Sequence, residues 1–491
     1  MKKIVFLIFP FLVASCGSDF IDLLPHSTVS TDILYQTDKD FQDAVIGGYS
    51  VLQTVYQSMY VYADMRGDDA QAGVIKTNDH SDSDLLITPS TNGNINATWQ
   101  RFYSIIYRVN MVLERIESAD PSIVTNKNQH IGESRFLRAL SYFNLVRIFG
   151  DVPLLTAPVS ATEALETPRT KVDLVYEVII NDLISAEQLL PRSYSGANVG
   201  RATSGAAKAL LGKVYLTSHD FARAESKLQE VTTMGYALLP DYKDLFDYSK
   251  DEHHSEYIFD IEYVPGNNIS NNMTNQHLPN QASFLAFHGI AGIGDESMVP
   301  HDQLRFLFED HDLRKDITVA PTGGYVDPVT GEIIPGGWIN ADGEFIRFPP
   351  ATSQKFTYKF ITPTERSNDS PCNYKVIRYA DVILMYAEAL NENGKTSEAL
   401  TWLNMVRERA GVAPFTGLSQ SETREAIYTE RRFELTFEGH RWFDLIRTGT
   451  ALDNPVLQGL GIRPHHLLFP VPWSQVMVVN DRSIFWQNEG Y

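Results

Sequence analysis

Residues 208–228 read KALLGKVYLTSHDFARAESKL, and this stretch decides the architecture. Leu211, Gly212 and Tyr215 lie before a break at His219-Asp220-Phe221, and Ala224 and Leu228 lie after it, at the spacings of a tetratricopeptide helix hairpin. Small residues such as Ala224 let two helices approach closely while Leu and Tyr fill the groove between them. A second segment repeats the pattern with Ala387, Leu390, Gly394, Ala399, Leu403 and Val406, turns at Asn393-Gly394-Lys395, and ends its second helix at Gly411. All these positions read as scaffold.

Working outward, the helical period continues. Glu133 to Phe149 carries Phe136, Leu140 and Phe143 on one stripe, and Val172 to Leu190 is closed by Pro191. Between them, Gly150 to Lys171 holds Pro153, Pro158 and Pro168 and reads as a surface-wrapping insertion. Asp38 to Met59 and Ala97 to Ile116 are further amphipathic helices, separated by a loop rich in Asp and Asn. From Val264 to Asn373 the period disappears. Turn signals at Gly323-Gly324, Asp327-Pro328, Gly336-Gly337 and Asp342-Gly343 bracket short β-prone pieces, and the aromatic content argues against disorder. The expected class is mostly α: tetratricopeptide-like hairpins forming a scaffold, with long irregular loops and a few short β-strands. The expected division is a signal peptide over 1–15, a helical part over 16–263, a loop-rich candidate binding segment over 264–375 and a final part over 376–491, the last three fused into one unit.

The start of the chain states its destination. Lys2 and Lys3 precede an apolar run from Ile4 to Val13, and Val13-Ala14-Ser15-Cys16 resembles the box cleaved by the lipoprotein signal peptidase. The run falls short of the roughly 20 apolar residues of a membrane-spanning helix, and Pro10 interrupts it. Cleavage leaves a lipidated Cys16, whose acyl chains contribute about 0.8 kcal/mol per buried methylene and hold the protein at a membrane. Only one other cysteine, Cys372, exists, so a lipidated Cys16 leaves no intrachain disulfide. A net charge of -20 argues against nucleic acid as a partner.

Chemistry-bearing clusters have structural readings. Glu430, Arg431, Arg432, Glu434, Glu438, His440, Arg441 and Asp444 crowd one region, where charges three and four apart pair along a helix without catalysis. Glu388 and Asp381 sit inside a packed repeat. His253-His254 and His465-His466 are adjacent pairs, which chelate poorly, and no zinc, calcium-loop, phosphate-loop or nucleophile motif occurs. No catalytic residue, metal ligand or cofactor is expected, although the acidic loops leave room for a structural calcium.

Residues 138–154, RALSYFNLVRIFGDVPL, resemble a hallmark of the SusD/RagB family of outer-membrane nutrient-binding lipoproteins of Bacteroidetes. Arg378-Tyr379-Ala380-Asp381-Val382 running into Tyr386-Ala387-Glu388-Ala389, Asn404 to Gly411, Glu430 to Leu435 with Glu438 to Leu445, and Gln487 to Tyr491 are similar to its later blocks, in the same order. The resemblance implies a SusD-like fold and a lipoprotein on the outer face of the outer membrane. It also implies a lid over a SusC-like TonB-dependent transporter that captures oligosaccharides or peptides and performs no chemistry on them. A surface glycan or peptide hydrolase and a non-binding tetratricopeptide scaffold are the alternatives.

A sugar site needs aromatic faces flanked by amides, carboxylates or guanidinium groups. Two loop regions offer them. Asp64 to Asn96 supplies Arg66, Asp68, Asp69 and Asn92, together with Asn78, Asp79 and Asn94. Asn267 to Phe348 supplies Phe284, Phe287, His288, Tyr325, Trp338, Asn340 and Phe345, with Trp338 as the expected stacking platform. Trp99 reads as core.

Overall fold

The computed structural model describes residues 34–73, 78–250, 253–266, 270–320, 325–326, 333–334, 336–348 and 355–491. Cys16 and the signal region therefore lie outside the described residues. Nine longer helices make the scaffold: α1 (Asp38–Tyr56), α2 (Gly93–Glu117), α3 (Lys127–Phe149), α4 (Val172–Leu189), α5 (Ser204–Thr217), α6 (Phe221–Thr232), α7 (Tyr379–Glu392), α8 (Thr396–Arg409) and α9 (Gln420–Glu434). Each packs on the next, so α6 receives α7 across the long loop-rich interval as though the two were sequential, and α9 closes over both α7 and α8.

The repeat positions behave as their spacing demands. A Cβ on Gly212 would come within 2.5 Å of Leu228 Cδ2, so only glycine permits the α5–α6 approach. Asp220 caps α6 through Arg223 N–H, and Gly394 turns the chain into α8 with φ +79°. Two helices start earlier than their apolar stripes suggest. α2 begins at Gly93 because Asn92 Oδ1 accepts from Asn94 and Ile95 N–H, and α3 gains a polar first turn from Lys127.

The loop-rich interval departs from and returns to the scaffold through a clamp. Among its short strands are β1 (Tyr257–Ile261), β2 (Gly337–Ile339), β3 (Phe345–Arg347) and β4 (Tyr374–Arg378), of which β1 and β4 pair antiparallel with Tyr374 opposite Ile261. Asn373 Oδ1 accepts from Tyr263 N–H and Asn271 bridges to Ser370, which extends the clamp outward. One continuous apolar core follows the helices. The interval has a smaller core of its own, built on Leu278, Phe284, Leu285, Ile290, Trp338, Phe348 and Phe356.

Candidate functional site

The β2–β3 hairpin corrects the expected platform. Trp338 pairs across the hairpin with Ile346 on its inward face, is only 3% exposed, and lies 5.4 Å from Phe348 and 5.8 Å from Phe284 between ring centroids. Alternation along a strand sends its neighbours the other way, so Ile339 and Phe345 face outward, and Phe345 is 45% exposed. Phe284 is also core, whereas Phe287 is exposed and packs edge-on against a half-buried His288. Asn340 builds the hairpin turn, its Oδ1 accepting from Asp342 and Glu344 N–H. The backbone of Tyr325 pairs with Ile334, and its side chain lies outside the described residues.

The polar candidates of the first loop region are likewise structural. Arg66 is buried over Phe469 at 4.0 Å, donating to His466 O at 2.9 Å, to Thr88 Oγ1 at 3.2 Å and to the Tyr491 hydroxyl at 3.1 Å. Asn92 is the α2 cap. Asp68 is gripped by Arg441 at 2.6 and 2.9 Å, by Arg432 at 2.9 Å and by Asn454 Nδ2 at 2.7 Å. Burial pushes the Asp68 carboxyl up, but the two guanidinium groups overcome it and hold it well below the usual range. Asp69 pairs with Arg432 at 2.7 Å, yet burial keeps its carboxyl raised, and its Oδ2 comes no nearer to Arg441 Nε than 3.6 Å. All four side chains are buried within the protein.

What they build is a wall. With Asp68 and Asp69 fixed by Arg432 of α9 and by Arg441, Ala70-Gln71 is presented as an edge that pairs with Val299-Pro300. Asp69 O accepts from His301 N–H at 2.7 Å and completes the junction. Asn454, while holding Asp68, caps the short helix Pro455–Gly459 by accepting from Val456 and Leu457 N–H. The two loop regions singled out in the sequence thus meet each other and a segment near residue 455. They enclose a cleft of about 420 Å³ bordered by Gly67, Gln71, Asp84, Leu85, His301, Gln303, Val456 and Leu460.

The cleft mixes apolar surface from Leu85, Val456 and Leu460 with amide, imidazole and carboxylate groups. Asp84 Oδ2 accepts from Ala72 N–H at 3.0 Å, which fixes the carboxylate at the rim. Burial lowers the His301 pKa, so the ring is neutral near pH 7, and with Nδ1 facing Gln303 N–H at 3.4 Å its proton is placed on Nε2. Such an arrangement can donate to and accept from hydroxyl groups while covering an apolar ring face. Sequence reasoning missed Gln71, His301 and Gln303 because the signal lies in a two-residue strand pairing. The edge at Ala70-Gln71 shows nothing in the sequence that names Val299-Pro300 as its partner.

The charged cluster around Glu430 to Asp444 is buried and internally paired. Arg314 meets Glu430 and Glu434, Arg378 meets Glu256, Glu434 and Glu438, and Arg431 meets Asp381 and Asp444. Burial, reinforced by Lys213, depresses His440 to about 3, so it is a neutral partner for the Lys213 ammonium and not a proton carrier at neutral pH. Among the described residues no three His, Cys, Asp or Glu side chains converge as a metal site.

A helical-repeat scaffold that presents a loop-built polar cleft has the architecture of a binding protein. Two family models match this chain: one described as the SusD family, over residues 245–458, and one described as "Starch-binding associating with outer membrane", over residues 19–216. The two matches do not overlap, and the chain belongs to the SusD family that they describe. It is 29% identical to SusD-like protein P2 of Formosa agariphila, covering 100% of both chains, and 27% identical to SusD-like protein P25 of the same organism, covering 97% of each. A solved laminarin binding SusD-like protein superposes with a TM-score of 0.76 at 27% identity, over 93% of this chain and 100% of the other. A solved SusD superfamily protein from Parabacteroides distasonis does so with a TM-score of 0.74 at 27% identity, over 92% and 99%.

Proposed function

We propose that the protein is a cell-surface capture protein for a neutral oligosaccharide, held by lipid on Cys16 at the outer face of the outer membrane, which passes its ligand to a SusC-like TonB-dependent transporter. The observation that carries the reading is the cleft at the Ala70-Gln71 and Val299-Pro300 junction. Its volume suits a few sugar units, and its donors and acceptors are of the kinds that hydroxyl groups pair with. The laminarin-binding relative supports a glucan as the ligand class. A net charge of -20 and the Asp84 carboxylate disfavour an acidic glycan.

The cleft offers a clean block. A Cβ on Gly459 would meet nothing within 4 Å, so Gly459→Trp places an indole in the cleft without disturbing the fold. Calorimetry of protein lacking residues 1–16 against laminarin, starch and peptide panels is expected to show glycan binding without turnover, lost in Gly459→Trp. Undiminished glycan affinity in that variant, or saturable binding of peptides alone, overturns the reading. Cys16→Ala is expected to release the protein from membranes, and pull-down of the lipidated form is expected to retain a TonB-dependent barrel.

A further inference from the structure

A second pocket, of about 300 Å³, opens on the scaffold side of the molecule, between the loop joining α4 to α5 and the segment joining α6 to β1. It shares no lining residue with the cleft. Tyr194, Tyr236 and Tyr257 contribute three rings, and the remaining lining includes Arg192, Arg201 and Ser255. Its size lies at the lower end of the roughly 300–1,000 Å³ of small-molecule sites.

The informative residue is Arg201. It is 8% exposed, and two of its three nitrogens are committed, Nε to Glu133 at 2.8 Å and Nη1 to Asn198 Oδ1 at 2.9 Å. Nη2 is buried with no hydrogen-bond partner among the described residues. A buried donor left unsatisfied costs roughly 1–3 kcal/mol, which an incoming acceptor recovers. Glu133 already meets the guanidinium charge, so what Nη2 lacks is an oxygen acceptor and not a counter-ion. Tyr194 holds the same carboxylate through its hydroxyl at 3.1 Å, which fixes its ring beside that donor, and the Arg201 guanidinium lies 5.8 Å from the ring centroid. Aromatic faces beside an uncommitted N–H suit a pyranose, whose apolar face covers a ring while a hydroxyl or ring oxygen accepts the bond.

We infer that this pocket is a second carbohydrate site, which takes one neutral pyranosyl unit independently of the cleft. Two sites on separate parts of one scaffold give a polysaccharide two points of attachment and so raise its avidity.

The test uses the cleft-blocked Gly459→Trp protein lacking residues 1–16, with methyl glucoside as the neutral probe and glucuronate as the acidic one, read by ligand-observed saturation-transfer NMR. Methyl glucoside is expected to show saturation transfer that falls at least about fivefold when Ser255→Trp fills the pocket or Tyr194→Ala removes the ring, as the loss of one hydrogen bond or contact face would give. Ser255 is exposed, so its replacement tests the pocket even where Tyr194→Ala fails to fold. Absence of transfer in the cleft-blocked protein, equal transfer in Ser255→Trp, or preference for glucuronate overturns the inference. None of these outcomes bears on the cleft, whose own test compares the unblocked protein with Gly459→Trp.

Discussion

Replacing Arg378 by methionine removes the centre of the buried ion network. Its guanidinium donates to Glu438 at 2.6 and 3.1 Å, to Glu256 at 2.7 Å, to Glu434 Oε1 at 2.5 Å and to Glu434 O at 2.7 Å. Arg409 still faces Glu256 and Glu434, and Lys359 still faces Glu438, so no carboxylate loses every cation. Breaking a buried pair from one side costs about 3–5 kcal/mol, and the remaining cations place this variant near the lower end, about 3 kcal/mol. The carboxylates also set the pH dependence. Glu438 is desolvated by burial, but Arg378 and Lys359 hold it at about 2, against an ordinary 4.5. Its stabilising contribution is therefore complete above about pH 4.5 and is lost as pH falls through about 2. Without Arg378 that depression shrinks. Urea midpoints followed by circular dichroism should separate wild type from Arg378→Met at pH 7 and bring them together towards pH 2. A difference below about 1 kcal/mol at pH 7, or one that stays constant as the acid limb is descended, refutes the account of this network.

Asp64 is buried, its carboxyl accepts from Gly439 N–H at 3.1 and 3.2 Å, and burial pushes that carboxyl up to about 8. The folded protein thus keeps a proton that the unfolded chain releases near 3.8, so this group drains stability as pH rises from there to about 8. The melting temperature of Asp64→Asn relative to wild type is expected to improve between pH 5 and pH 8 and to level off above, and a pH-independent difference counts against it. Trp338→Ala is expected to cost about 3–5 kcal/mol within the smaller core and to open the loop-rich segment to limited proteolysis while the helices stay intact. Unchanged cleavage would mean that Trp338 does not hold that core together.

Much of the scaffold was legible in the sequence because helix packing is written locally. Gly212 and Leu228 sit sixteen positions apart along one hairpin and touch in the structure, and Gly394 and Gly411 fall where the backbone turns left-handed. Helix starts were less legible, since the Asn92 cap of α2 and the polar first turn of α3 from Lys127 carry no apolar signal. At the site the chemistry of residue types misled. A tryptophan beside Gly337 and acids at 68 and 69 look like ligand contacts, but the first faces inward on a hairpin and the others are wedged between arginines more than 360 residues away. Those pairings are non-local, and one sequence offers no register for them. The two loop regions, in contrast, were located by composition, and their meeting at Ala70-Gln71 is what the three-dimensional arrangement adds.

The clamp of β1 and β4 carries an evolutionary consequence. Because Ile261 and Tyr374 are adjacent, the stretch that joins them begins and ends at one doorway, and α6 packs on α7 across it. The stretch is tied to the frame a second time, because Arg314 and Lys359 within it enter the buried ion network at Glu434 and Glu438, so lineages that lengthen or shorten its loops must keep those two cations in place. An engineer grafting a relative's stretch at these two strands has to bring both cations with it.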